Sequence, residues 1–226
     1  MIFSRKKTLI TMAVALCITC QLSYAEFVPG GVLVTPSVYT VHISALAFVK
    51  AAGGGIVPFF SGTSDFNIAA AASGAGVGNY GQGVSMTPGV YSGMQFTMGR
   101  SMSVVATGTD DLGQTCHTAA GMGTMIFNGM TISLGSTNPN VPTTAEEISI
   151  PNNDSIDSEL QQQAGMETLS DGSLRGTKTF DNGNITISSS SSTIKLIFGV
   201  TNAVEIKGTG IGSCVILPNE PALSAT

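Results

Sequence analysis

Apolar and polar residues alternate over several stretches of the chain, most regularly in Ser85–Met102. This stretch opens on the turn unit Thr87-Pro88-Gly89, and an apolar or small residue then recurs at most second positions. Such alternation is the period of a strand with one buried face, so we predict a central β-strand here. The positions predicted to share its inner face are Val90, Ser92, Met94, Phe96, Met98 and Met102.

Shorter apolar or alternating runs predict further strands on both sides of the central one. They fall at 30–34, 39–48, 56–60, 103–106, 125–134, 194–198, 204–206 and 214–217. In the second run, Leu46 and Phe48 lie on the opposite parity from Ile43, so either this strand is buried on both faces or a bulge lies near Ala45. The residues after 217 read as a tail interrupted by prolines.

Two short helices and one hairpin are also predicted. Asn67 is suited to cap a single helical turn at Ile68–Ala72, and Asp157–Ala164 has apolar residues at helical spacing. In 177–187, Asn182-Gly183 separates two alternating runs, which predicts a hairpin with a type I′ turn.

Strands outnumber helices, and no alternation of strand and helix of the βαβ kind occurs. The predicted fold class is therefore all-β: an antiparallel β-sandwich with long polar loops and one or two short helices. Residues 26–226 are expected to form a single β-sandwich domain. A polar stretch rich in prolines predicts a surface insertion around 136–166.

The N-terminal segment 1–25 has the layout of a secretory signal peptide. A basic segment at Arg5–Lys7 precedes the apolar run Leu9–Cys20, and Ser23-Tyr24-Ala25 supplies small residues for cleavage near Ala25. A membrane anchor is the alternative, but the run is short for a spanning helix. We expect an extracytoplasmic protein, periplasmic or secreted, with no integral membrane segment in the mature chain.

Removal of the signal peptide makes the chain more acidic. Three of its 9 Lys and Arg residues and none of its 14 Asp and Glu residues lie in that segment, so the formal net charge changes from −5 to −8. A surface with so few cations is a poor match for a phosphate backbone. Nucleic acid and anionic membranes are therefore not expected as partners.

Two cysteines, Cys116 and Cys214, lie beyond the predicted cleavage site. In an oxidising compartment, an even pair is most simply one disulfide. This disulfide would tie a strand near the end of the chain to the middle of the fold.

Catalytic groups are scarce in this sequence. His42 and His117 are the only histidines and hence the candidate bases at neutral pH. His42 lies within a predicted strand, and His117 follows Cys116, which as a disulfide partner has no nucleophilic thiolate. No Gly-x-Ser-x-Gly elbow occurs, so we expect no catalytic residues and no enzymatic activity.

Methionine is abundant after residue 85, and thioethers are soft ligands that suit Cu(I). The sharpest copper hypothesis joins His117, Met122 and Met125. The methionines of Ser85–Met102 fit a core face instead, because Met fills irregular core space without any ligand. The interpretation that we favour has no metal and no cofactor.

Oxygen-rich segments such as Asp110-Asp111 favour solvated turns over calcium sites, because none has the Asp-x-Asp-x-Asp-Gly spacing. Asn153 and Asn184 begin sequons for N-glycosylation. These matter only in a host that glycosylates them.

Several segments together carry a likeness to a known class of proteins: Tyr39–Phe48, Asp65–Ile68, Thr87–Tyr91 leading into Met94–Met98, and Ile194–Phe198 with Val204. In this order they resemble bacterial secreted proteins of uncharacterised function with a prealbumin-like (transthyretin-like) β-sandwich. In such proteins a Pro-Gly-x-Tyr unit, as at Pro88–Tyr91, starts a strand of the inner sheet. The resemblance implies a fold and a location, and it carries over no site residues.

These features favour a non-catalytic protein that acts by surface contact, with a protein or a glycan as its partner. It would be a structural subunit, an adhesin-like module or an envelope-binding module. The first alternative is a periplasmic ligand-binding or copper-binding protein that uses the Met/His cluster. A secreted hydrolase is a further alternative, because a fold alone excludes no activity.

Overall fold

The computed structural model describes residues 30–53, 55–72, 87–127, 130–150, 152, 161, 165–188, 194, 196–210, 212–219 and 221–225. The predicted signal peptide and the sequon residue Asn153 lie outside the described residues. So does the helix predicted at Asp157–Ala164, apart from residue 161.

Strands dominate the fold, and they form two antiparallel sheets that pack against each other as an all-β sandwich. The first sheet contains β1 (Val32–Val34), β5 (Thr107–Thr109), β6 (Thr115–His117), β7 (Thr124–Phe127), β8 (Met130–Ser136), β14 (Val204–Gly208) and β15 (Ser213–Pro218). Its strand order is β1-β14-β15-β8-β6-β5, and β7 also pairs with β8.

The second sheet contains β2 (Val38–Lys50), β3 (Ile56–Asn67), β4 (Gly89–Val105), β9 (Glu146–Ser149), β10 (Glu167–Thr168), β11 (Leu174–Thr179) and β12 (Ile185–Ile187). Its strand order is β10-β11-β4-β2-β3, and both β9 and β12 also pair with β4. A separate two-stranded ladder joins β13 (Leu196–Gly199) to β16 (Ala222–Ala225). A short helix, α1 (Ile68–Ala72), follows β3.

The predicted central strand is confirmed as β4. It pairs with β2 along one side and with β12, β11 and β9 in succession along the other. Its Met94, Met98 and Met102 are buried and belong to one core cluster with Val204 and Ile216 of the first sheet. The core therefore lies between the two sheets, and the methionines of this strand fill part of it.

The phase predicted for the beginning of β4 is wrong. Val90 is 45% exposed, whereas Tyr91 is completely buried. The pairing with β2 is irregular at this point, because Val49 lies opposite Gly93 and Lys50 lies opposite Tyr91. One extra residue on β4 reverses which side chains face the core.

Two local predictions for the strands and the helix are confirmed. The register of β2 shifts between Ile43 and Ala45 against both of its neighbours, which is the bulge predicted near Ala45. This bulge explains why the two halves of β2 bury residues of opposite parity. The predicted cap of α1 is also present, since the backbone N–H of Ala70 donates to Asn67 Oδ1 at 3.4 Å.

The hairpin predicted at 177–187 is wrong. Strands β11 and β12 both pair antiparallel to β4, one after the other, so they run in the same direction. The residues 180–184 form an excursion between them, in which Phe180 is buried in the core. Asp181 and Asn182 bond to β16 instead of closing a hairpin.

Three further predictions are corrected by the strand pairing. The strand predicted at 125–134 is two strands, β7 and β8, because Asn128-Gly129 separates them with the residue types of a tight turn. The insertion around 136–166 is not only a surface excursion, since β9 lies within it and buries Ile148 against the core. The predicted tail forms β16 because Leu223 finds a buried position.

The predicted disulfide is confirmed. Cys116 in β6 and Cys214 in β15 are bonded, with their Cα atoms 6.1 Å apart and a separation of 98 residues in the sequence. Both residues are completely buried. Within the described ranges, no helix is both long and apolar enough to cross a membrane.

Candidate contact surface

The second sheet presents one side to the core and the other side, which we call the outer face, to solvent. Side chains alternate along a strand, so β4 directs Gln95, Thr97, Ser101 and Ser103 to the outer face. All four are partly exposed, whereas Met94, Met98, Met102 and Val104 of the opposite parity are buried. The middle of the outer face is therefore made of uncharged polar side chains.

Neighbouring strands continue this polar surface through residues that lie opposite β4. Ser149 of β9 lies opposite Ser101, and their hydroxyl oxygens are 3.2 Å apart. Thr177 of β11 lies opposite Gln95 and is exposed. Each of these groups both donates and accepts hydrogen bonds, so the outer face offers donors and acceptors together.

Two pairs of polar side chains join neighbouring strands on the outer face. His42 Nδ1 lies 2.6 Å from Asp65 Oδ1, and the Arg175 guanidinium donates to Glu167 Oε1 from Nε and Nη2. Exposed pairs of this kind contribute little to stability. The pair of Arg175 and Glu167 adds no net charge to the outer face.

A groove of about 260 Å³ lies on the outer face, lined by Ile56, Gln95, Gly165, Glu167, Arg175 and Thr177. Ala47 lies opposite Gln95 on β2 and has only a methyl side chain. On its other side Ala47 lies opposite Pro58 of β3, so the side chains next to Gln95 in this direction are short. The groove is thus built from four strands, with the ion pair of Arg175 and Glu167 along one wall.

Two of the residues considered for catalysis, Cys116 and His117, are buried and bonded to other parts of the chain. Cys116 has no free thiol because it is bonded to Cys214. His117 is buried, and its Nε2 lies 2.9 Å from the carbonyl oxygen of Val141. A carbonyl oxygen only accepts, so Nε2 carries the proton and donates it.

The strand geometry separates two of the three ligands in the copper hypothesis. His117 lies opposite Ser136 and Met125 lies opposite Ile132, both on β8. Four residues along a strand correspond to roughly 13 Å. Met122 is partly buried between β6 and β7. The arrangement does not favour a copper site at these residues, and the copper hypothesis stays a prediction.

The acidic segment considered for calcium, Asp110-Asp111, organises its own loop. Asp110 Oδ1 accepts hydrogen bonds from the backbone N–H groups of Leu112 and Gln114, at 3.0 and 2.8 Å. Asp111 Oδ1 accepts from the N–H of Gly208 at 2.7 Å, and this bond lowers the pKa of Asp111. Among the described residues, no group of three or more His, Cys, Asp or Glu side chains is placed to hold a metal ion.

Sequence reasoning missed the residues that line the groove. They form no motif, because Gln95, Arg175 and Ile56 are far apart in the sequence and meet only through strand pairing. The available signal is the alternation along β4, because odd-numbered residues in the middle of this strand face solvent.

Comparisons with protein-family models, with curated protein sequences and with solved structures found no match to this chain. The likeness to transthyretin-like secreted proteins therefore stays a prediction.

Proposed function

We propose that the protein is a non-catalytic, extracytoplasmic β-sandwich protein that acts by surface contact through the outer face. It would serve as a structural subunit, an adhesin-like module or an envelope-binding module. The signal-peptide layout at the N-terminus and the resemblance to secreted transthyretin-like proteins support the location. The disulfide between Cys116 and Cys214 is consistent with an oxidising compartment.

The observation that carries the proposal is the polar composition and the rigidity of the outer face. It is polar, nearly uncharged in its middle, and held on the rigid ladders around β4. A surface that recognises a partner specifically through polar groups needs those groups held in fixed positions. A sheet provides that rigidity better than a loop does, because each side chain is fixed by two neighbouring strands.

The roles of the reactive side chains also support contact over catalysis. Cys116 is in a disulfide, and His117 donates to the Val141 carbonyl from a buried position. His42 lies on the outer face with Asp65 at 2.6 Å, where it can contribute to a polar interface.

The test measures saturable binding of the fluorescently labelled protein to envelope fragments of the cells that produce it. Thr97→Glu and Ser101→Glu place a charge in the middle of the outer face. The matched control is Thr115→Glu, at an exposed position of the first sheet. We expect the two outer-face variants to weaken binding at least about tenfold, which corresponds to 1.4 kcal/mol, and the control to bind as the wild type does.

Absence of saturable binding, or equal weakening by the control variant, would contradict the proposal. Turnover of any substrate in a panel of esters, glycosides and peptides would contradict its non-catalytic part. All three variants should keep the thermal midpoint of the wild type, because each changes a solvent-facing side chain.

A further inference from the structure

We propose that the groove on the outer face binds one ring of a neutral carbohydrate. This inference rests on the proposed function and names its partner. The volume of about 260 Å³ lies just below the roughly 300 Å³ at which sites for small molecules begin. A single sugar ring is therefore a better match for the groove than a folded peptide.

Hydrogen-bond donors and acceptors lie side by side in the groove. The amide of Gln95 supplies both, and so does the hydroxyl of Thr177. The two residues are opposite each other in the ladder of β4 and β11, so their Cβ atoms are roughly 5 Å apart. Neighbouring hydroxyls of a sugar ring also donate and accept at once, and they can engage both side chains together.

The ion pair of Arg175 and Glu167 along one wall of the groove adds further hydrogen-bond donors and acceptors but no net charge. Glu167 accepts through Oε1, and Arg175 donates from Nε and Nη2. A guanidinium has five N–H donors and a carboxylate has two oxygens, so the pair retains both kinds of group for a ligand. An anion would have to compete with Glu167, and a cation with Arg175, which favours a neutral ligand.

Ile56 adds an apolar side to the groove. Its side chain is 48% exposed at the edge of the second sheet. The C–H groups of a sugar ring form an apolar surface that can pack against such a side chain. Small-molecule sites commonly combine an apolar wall with a few polar groups that fix orientation.

The first step of the test applies the oxidised, labelled protein to an array of matched neutral and acidic glycans. The neutral glycan with the strongest signal is then titrated into ¹⁵N-labelled protein and followed by NMR. We expect millimolar binding, with chemical-shift changes centred on Gln95, Arg175 and Thr177. Gln95→Ala and Thr177→Val should each weaken binding about three- to tenfold.

The matched control is Thr115→Ala, which removes a hydroxyl at an exposed position of the first sheet and should leave the affinity unchanged. Binding of acidic glycans alone, shifts centred elsewhere, or no binding to any neutral glycan would overturn the inference. Envelope binding that survives without glycan binding would overturn this inference and leave the proposed function standing. Loss of both would overturn both.

Discussion

Gly135 occupies a position in β8 where the first sheet leaves no space for a side chain. A Cβ atom there would lie 2.6 Å from the carbonyl oxygen of His117 and 3.1 Å from Cys214 Sγ. Both atoms are fixed, one by the backbone of β6 and one by the disulfide. We expect Gly135→Ala to lower the free energy of unfolding by about 1–3 kcal/mol, because overpacking strains a tight core.

Guanidinium denaturation of Gly135→Ala measures this effect directly. The matched control is Gly99→Ala in β4, where a Cβ would meet His42 Cβ at an ordinary 3.6 Å. Equal stability of the two variants would show that the contact around Gly135 yields more easily than the structure implies.

Glu146 is a buried carboxyl group whose Oε2 has no hydrogen-bond partner. Burial raises its pKa above the ordinary value of 4.5, so the folded state binds this proton more tightly than the unfolded state. Stability is therefore lost as pH rises from the ordinary pKa through the raised one. We expect Glu146→Gln to stabilise the protein at pH 7, on the order of 1 kcal/mol, and to have little effect near pH 4.

Denaturation curves at the two pH values test this prediction. Glu147→Gln is the control, because Glu147 is the exposed neighbour on the opposite side of β9. A Glu146→Gln variant that is less stable than the wild type at pH 7 would contradict the burial argument.

At the residue scale, sequence patterning predicted the buried methionines of β4 and did not predict the groove. Met94, Met98 and Met102 were predictable because alternation along a strand reports which side chains face the core. Gln95 and Arg175 were not, because their meeting depends on the register between β4 and β11. No local pattern encodes that register.

At the scale of elements, two identical dipeptides have different outcomes. Asn128-Gly129 lies between β7 and β8, which pair as a hairpin. Asn182-Gly183 lies between β11 and β12, which continue along the same side of β4. The residue types Asn-Gly favour a hairpin turn in both places. At the second place, burial of Phe180 and pairing along the full length of β4 outweigh that preference. These tertiary terms cannot be read from the dipeptide.

The excursion at 180–184 also forms hydrogen bonds to the strand β16. Asn182 Nδ2 donates to the Ala225 carbonyl at 2.7 Å, and the Ala225 N–H donates to Asn182 Oδ1 at 3.3 Å. Asp181 Oδ2 accepts from the N–H of Leu223 at 2.7 Å. These side-chain hydrogen bonds take the place of a neighbouring strand along one side of β16. Strand β13 pairs with its other side.

We expect Asn182→Ala to destabilise β16 locally, by about 1–2 kcal/mol for two hydrogen bonds. Hydrogen exchange should accelerate at Leu223 and Ala225 and stay unchanged in β4. Asn184→Ala, also exposed and in the same excursion, should leave the exchange of both strands as it is. Faster exchange across the whole chain would contradict a local role for Asn182.

At the scale of the molecule, the disulfide makes the two halves of the first sheet one unit. It closes a loop that spans 98 residues of sequence, and the chain-entropy account assigns about 4–5 kcal/mol to such a closure. We expect the double variant Cys116→Ala, Cys214→Ala to lose stability of this order in denaturant titrations. A loss below about 1 kcal/mol would mean that the unfolded chain is already compact.

The all-β class was predictable because many short alternating runs leave no other way to bury their apolar faces. The order of strands in the sheets was not. The placement of β9, β11 and β12 end to end along β4 follows from long-range pairing, and short runs carry little information about their partners.

The most direct test of the outer face as the contact surface is side-chain footprinting with hydroxyl radicals, with and without the producing cells' envelope fragments. Four exposed apolar residues serve as reporters: Ile56 and Val90 on the second sheet, and Leu33 and Leu112 on the side of the first. We predict slower labelling of Ile56 and Val90 and unchanged labelling of Leu33 and Leu112 when the fragments are bound. Protection of Leu33 and Leu112 alone, or protection of none of the four, would contradict the account.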